Sequence, residues 1–97
     1  MQNKGSEMPK EHILVCLSSS PSNERIVRMA EKMAQAFCGS LTALYVQTPG
    51  DTVMNTADMS RLQANMRLAQ QLGAEIVTTH GEDVPTQIAE YARLSDV

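Results

Sequence analysis

A chain of 97 residues, 42% hydrophobic and 20% charged, supports one small globular domain and is not the composition of a disordered one. A formal charge of −3 without any basic run argues against a broad nucleic-acid or anionic-membrane surface. No apolar stretch reaches the roughly 18–20 residues of a membrane span, and the N-terminus lacks the apolar core of a signal peptide.

Residues 1–11 are polar, contain Gly5 and Pro9 and follow no period, so they read as a leader or linker ahead of a domain over 12–97. Ile13-Leu14-Val15-Cys16-Leu17 is a continuous apolar run of strand length, the pattern of a parallel strand covered on both faces. It ends abruptly in Ser18-Ser19-Ser20-Pro21-Ser22-Asn23, whose hydroxyl and amide groups suit the capping of a helix start. The following helix is predicted to turn Ile26, Ala30, Met33 and Phe37 inward, with Val27 and Ala34 widening that face. Glu24 complements the helix dipole at its start, and Gly39 is predicted to stop it.

Leu41–Val46 reads as a second buried strand, and Thr48-Pro49-Gly50-Asp51 opens a loop. A second helix is predicted from about Thr56 to Leu72, with Met59, Leu62, Met66 and Ala69 inward, flanked by Leu68 and Leu72, and Gly73 closing it. Ala74–Thr79 makes a third strand. His80-Gly81-Glu82 then turns into a helix capped by Asp83, with Val84, Ile88, Tyr91 and Ala92 inward. Cys16 and Cys38 are too few for a disulfide framework and read as small buried hydrophobes in a reducing compartment.

The order β-α-β-α-β-α predicts an α/β domain, a three-layer arrangement of helices against a parallel sheet. Three parallel strands leave two open edges, and the chain stops where a fourth strand would begin. That pattern predicts a fold truncated after its third βα unit.

His12 through Asn23, together with Leu41–Val46, Leu72-Gly73-Ala74-Glu75, Gly81-Glu82-Asp83-Val84 and Ile88–Ala92, resembles the universal-stress-protein domain of KdpD-type sensor histidine kinases in one register over residues 12–94. The resemblance implies a Rossmann-like fold of the adenine-nucleotide-hydrolase type, sheet order 3-2-1-4-5, with ligands bound at the carboxyl ends of the strands. It implies a cytoplasmic sensory domain at the inner face of a bacterial membrane, inside a kinase that controls potassium uptake. Its partners would be the other domains of that kinase and a second copy of itself, with no nucleic acid and no membrane insertion.

Nucleotide-binding universal stress proteins usually end their first strand in Asp-Gly-Ser, where this chain has Ser18-Ser19-Ser20. A hydroxyl in place of a carboxylate can donate to a phosphate beside a helix N-terminus. Some KdpD domains take cyclic di-AMP through Ser-x-Ser, twenty residues, then Phe-Thr-Ala-x-Tyr. Here Ser18-Ser19-Ser20 precedes Leu41-Thr42-Ala43-Leu44-Tyr45 at that spacing, with Leu41 in place of the aromatic residue. The implied ligand-binding residues are Ser18, Ser20, Thr42, Ala43 and Tyr45. Arg25 joins them because a cation in a first helical turn opposes the dipole unless an anion is near.

Each of these positions also has an ordinary reading. The serines cap a helix, Thr42, Ala43 and Tyr45 pack a strand, and Arg25 and Arg28 are solvated or paired with Glu24 or Glu31. His80 reads as a turn residue, and no metal site is expected. Neither a Walker loop nor a phospho-acceptor pattern occurs, so the chain is not expected to be an enzyme, and its ligand would be regulatory, cyclic di-AMP or ATP. The alternative functions are a ligand-free docking or dimerisation module and a free-standing ATP-binding stress protein.

Overall fold

The computed structural model describes residues 11–95. In chain order the elements are β1 (His12–Cys16), α1 (Asn23–Ala36), β2 (Ser40–Gln47), a 3-10 turn (Pro49–Val53), α2 (Thr56–Gln71), β3 (Glu75–His80) and α3 (Val84–Ser95). Residues 1–10 of the expected leader lie outside the described residues. The three strands are parallel in the order β1-β2-β3, with Val15 opposite Ala43 and Leu44 opposite Val77. This is the 3-2-1 part of the expected sheet.

Side chains alternate across a strand, which divides the sheet into two faces. Ile13, Val15 and Leu17 share a face with Leu41, Ala43, Tyr45 and Ile76, and all of these join one core with Val27, Ala30 and Ala34 of α1 and Leu62 and Ala69 of α2. Leu44 and Val46 point to the opposite face and are also buried, where α3 packs on β2. The central strand is therefore covered on both sides, as a β-branched and leucine-rich run requires. The outer strand β1 is not. Val15 is buried, but Ile13, Leu14 and Cys16 are half-buried, because β1 has a neighbour on one edge only among the described residues.

The inward face of α1 is narrower than the predicted one: Ala30, Val27 and Ala34 are inside as expected, and the three largest predicted residues are not. Ile26, Met33 and Phe37 are 49%, 44% and 55% exposed, while Val27, Ala30 and Ala34 are buried with Asn23. The two sets have nearly the same helical spacing and lie on adjacent faces, so periodicity cannot choose between them. The sheet chooses the smaller residues, which let the helix approach closely. Met59 of α2 and Val84 of α3 are likewise more exposed than predicted, and Asn65 takes a buried place on α2 instead.

Both long helices end in the same device. The amide of Gly39 donates to the carbonyl of Ala34 and that of Cys38 to Gln35, while Ala74 donates to Ala69 and Gly73 to Gln70. These are Schellman closures with one left-handed residue. That residue is Gly73 after α2 but Cys38, at φ 54°, after α1. Cys38 is accordingly exposed and not the buried hydrophobe its sequence context suggested. Gly39 is required for a different reason: a β-carbon there would stand 2.2 Å from the carbonyl oxygen of Glu11.

Candidate functional site

The chain leaves β1 at Cys16 and must satisfy the backbone groups of an irregular turn before α1 begins. Asn23 does most of this from inside. It is 3% exposed, donates from Nδ2 to the Cys16 carbonyl at 3.0 Å and accepts at Oδ1 from the Ser18 amide at 3.2 Å. Helix α2 adds two bonds: Asn65 Nδ2 donates to the Ser18 carbonyl and Arg61 Nη1 to the Ser19 carbonyl, each at 2.9 Å. Arg61 is itself held by Asp58 at 3.0 Å. The serine turn is thus pinned by side chains from two helices, and the predicted serine cap does not form. Ser22 occupies the cap position of α1 without a side-chain bond to the helix backbone.

Above this turn, at the carboxyl ends of β1 and β2, lies a cavity of about 270 Å³. Cys16 to Ser19 form one wall, Leu44 to Val46 a second, and Thr48, Asp51, Met54 and Val84 close it. The position is the one where open parallel sheets bind ligands. The 3-10 turn is a capping box on Thr48 and Asp51, which carries Asp51 to the cavity wall. There its carboxylate accepts from the hydroxyl of Tyr45, from the Thr48 amide at 3.2 Å and from Thr48 Oγ1 at 3.2 Å. Burial, and then the Asp51 carboxylate, push the Tyr45 hydroxyl up to about 12. The Tyr45 hydrogen bond holds Asp51 below the usual carboxylate range against the opposing effect of burial, with Thr48 adding to the lowering. A second, shallower cavity of about 400 Å³, lined by Gln47, Thr48, Pro49, His80, Gly81 and Glu82, meets the first at Thr48.

The structure brings Ser18 and Tyr45 together on the cavity wall. Ser20 is exposed and bonded to Ser22, with their hydroxyl oxygens 2.8 Å apart. Thr42 and Ala43 lie lower in the sheet, 1% and 0% exposed, and Thr42 meets His12 Nε2 at 2.8 Å. Arg25 is exposed on α1 and makes no ion pair among the described residues, whereas Arg28 pairs with Glu24 at 3.2 Å. Sequence reasoning gave Asn23 a capping role in this turn but missed Asn65, Arg61 and Asp51 as builders of this region. Asn65 left a signal, a polar residue inside the apolar stripe between Leu62 and Met66, but Asp51 left none beyond turn chemistry. Burial raises the Cys16 thiol, which keeps it protonated and unreactive. Among the described residues no group of three or more His, Cys, Asp or Glu side chains is placed to hold a metal ion, and no helix is long and apolar enough to cross a membrane.

The layered parallel sheet with its strand-end cavity has the universal-stress-protein fold. A universal stress protein solved in complex with cAMP superposes with a TM-score of 0.67, at 20% identity, over 93% of this chain and 69% of its own. No protein-family model matches the chain. In sequence, the chain is 44% identical over 84 residues to the sensor protein KdpD of Clostridium acetobutylicum, and 30% identical over 84 residues to that of Escherichia coli. The KdpD of Mycobacterium tuberculosis is 29% identical over 85 residues. Each match takes in 87% of this chain, and the chain spans 9% to 10% of the length of these relatives. The chain is a universal-stress-protein-like domain homologous to one segment of the KdpD sensor proteins.

Proposed function

We propose that this domain is a nucleotide-sensing input module of a KdpD-type sensor histidine kinase that controls potassium uptake, with cyclic di-AMP as its regulatory ligand and no catalytic activity of its own. In the assembled kinase it would sit at the cytoplasmic face of the membrane, against the kinase's other domains. The observation that carries the reading is the cavity between Ser18 and Tyr45, which lie at the two ends of the Ser-x-Ser and Thr-Ala-x-Tyr spacing yet line the same cavity from two sides. The cAMP complex of a protein with this fold adds support for a nucleotide. Ser18 and Tyr45 are the residues proposed to touch the ligand. Ser20, in the same serine turn, and Arg25, exposed on α1, are proposed for its phosphate, and Thr42 and Ala43 belong to the strand beneath.

Calorimetric titration with cyclic di-AMP and with ATP tests this. Saturable binding of cyclic di-AMP, weakened at least tenfold by Tyr45→Ala (about 1.4 kcal/mol), is the expected result. Tighter binding of ATP would favour an ATP-binding stress protein. Absence of binding by either nucleotide would favour a docking or dimerisation module, for which the exposed Ile26, Met29, Met33 and Phe37 side chains on α1 are the specific observation.

A further inference from the structure

The wall of the cavity formed by Tyr45, Thr48 and Asp51 has spent its hydrogens. Tyr45 has one O–H, and it goes to Asp51; the Thr48 hydroxyl and the Thr48 amide go to the same carboxylate. A carboxylate that is ionised only accepts. The low Asp51 value and the high Tyr45 value keep this assignment of the proton across the neutral range. What these groups have left to offer a ligand is lone pairs: the Tyr45 and Thr48 oxygens and the unused positions of the Asp51 carboxylate. The opposite wall differs. Ser18 Oγ accepts from the Ser20 amide at 3.1 Å, so its own hydrogen remains available to donate. The cavity therefore has a donor side at the serine turn and an acceptor-only side at Asp51.

We propose that Asp51, by fixing the Tyr45 hydroxyl as an acceptor, makes this side of the cavity a reader of an exocyclic amino group, so that the site selects an adenine over a 6-oxo purine. The inference rests on the nucleotide reading above and deepens it. A cavity of about 270 Å³ lies just below the roughly 300–1,000 Å³ typical of ligand pockets and suits one nucleoside of a larger ligand. A phosphate is disfavoured beside Asp51 by like charge and favoured at the serine side, which orients the base toward Tyr45. A wall whose polar groups are all acceptors leaves a 6-oxo group seated against it facing lone pairs, and an unpaired polar contact of this kind is what gives strong discrimination between analogues.

The test uses cyclic di-AMP and cyclic di-IMP, which differ only at the 6-position edge: a 6-amino donor beside an acceptor N1 in one, a 6-oxo acceptor beside N1–H in the other. Titrated against the full chain, cyclic di-AMP is expected to bind at least tenfold tighter. Asp51→Asn places an amide donor on the wall and replaces the charged acceptor of the tyrosine hydrogen with a weaker neutral one, and should bring the two ligands within about threefold of each other, by the tenfold-per-1.4 kcal/mol relation. Tyr45→Phe keeps the ring and removes one acceptor, so it should weaken cyclic di-AMP more than cyclic di-IMP. It carries the test if circular dichroism shows Asp51→Asn to be unfolded. Equal binding of both ligands by the unaltered chain, or an unchanged preference in a folded variant, would overturn the role of Asp51 while leaving nucleotide sensing intact. No binding of either ligand would remove both.

Discussion

At the scale of single residues, the ionisation of Tyr45 and Asp51 sets a pH window for their contact. Tyr45 has its folded value raised from 10.0 to about 12, so the stability it links to protonation is complete below pH 10 and is lost as pH rises toward 12. Asp51 has its folded value lowered from 3.8, so its contribution is present above that pH and disappears as pH falls through the lower folded value. The contact is therefore expected to hold between about pH 4 and pH 10. Tyrosinate absorbance should show Tyr45 ionising above its ordinary range, and Asp51→Asn should bring that step down toward pH 10; an unchanged titration would show that Asp51 does not grip the hydroxyl in solution. None of this was legible in the sequence. Tyr45 drew notice through its spacing from the serine turn, but its partner sits in a Thr-Pro-Gly-Asp turn whose residues are explained by local chemistry alone.

At the scale of elements, α1 shows where periodicity loses its power to decide. Two apolar stripes run along it, and the sheet buries the one made of Val27, Ala30 and Ala34. Val27→Ala should cost about 2 kcal/mol, since two methyl groups leave a fully buried place. Ile26→Ala, on the part of the predicted face that stays exposed, should cost about 0.5 kcal/mol or less. Urea unfolding of the two variants checks this, and equal losses would mean that the helix packs on the other stripe. The helix ends divide in the same way. Gly73 is a left-handed C-terminal residue of the kind a glycine announces, whereas Gly39 is set by the approach of Glu11, a contact between segments 28 positions apart in the sequence.

At the scale of the molecule, β2 holds the domain together. It is paired on both edges and covered on both faces, while β3 has a half-exposed burial pattern and one neighbour among the described residues. Amide hydrogen exchange should therefore be slowest in Leu41–Val46, open only with global unfolding, and be faster along Glu75–His80 through partial opening. Equal protection of both strands would mean that β3 is covered by more than the described residues provide. The strand-end cavity depends on this arrangement, because its walls come from β1, β2, the 3-10 turn and the start of α3.

The amino-acid sequence by itself determined the alternation of strands and helices and the parallel sheet. Those follow from local patterns: apolar runs of strand length, helical spacing, and glycine, proline and serine at the junctions. The tertiary structure decided which helical face is buried and which side chains build the site. Ser18 and Tyr45 meet because β1 and β2 are neighbours in register, and Asn23, Asn65 and Arg61 matter because the backbone of an irregular turn must find partners wherever the fold supplies them. Choices between equally apolar faces, and pairings between distant polar groups, have no local pattern, so only packing could make them.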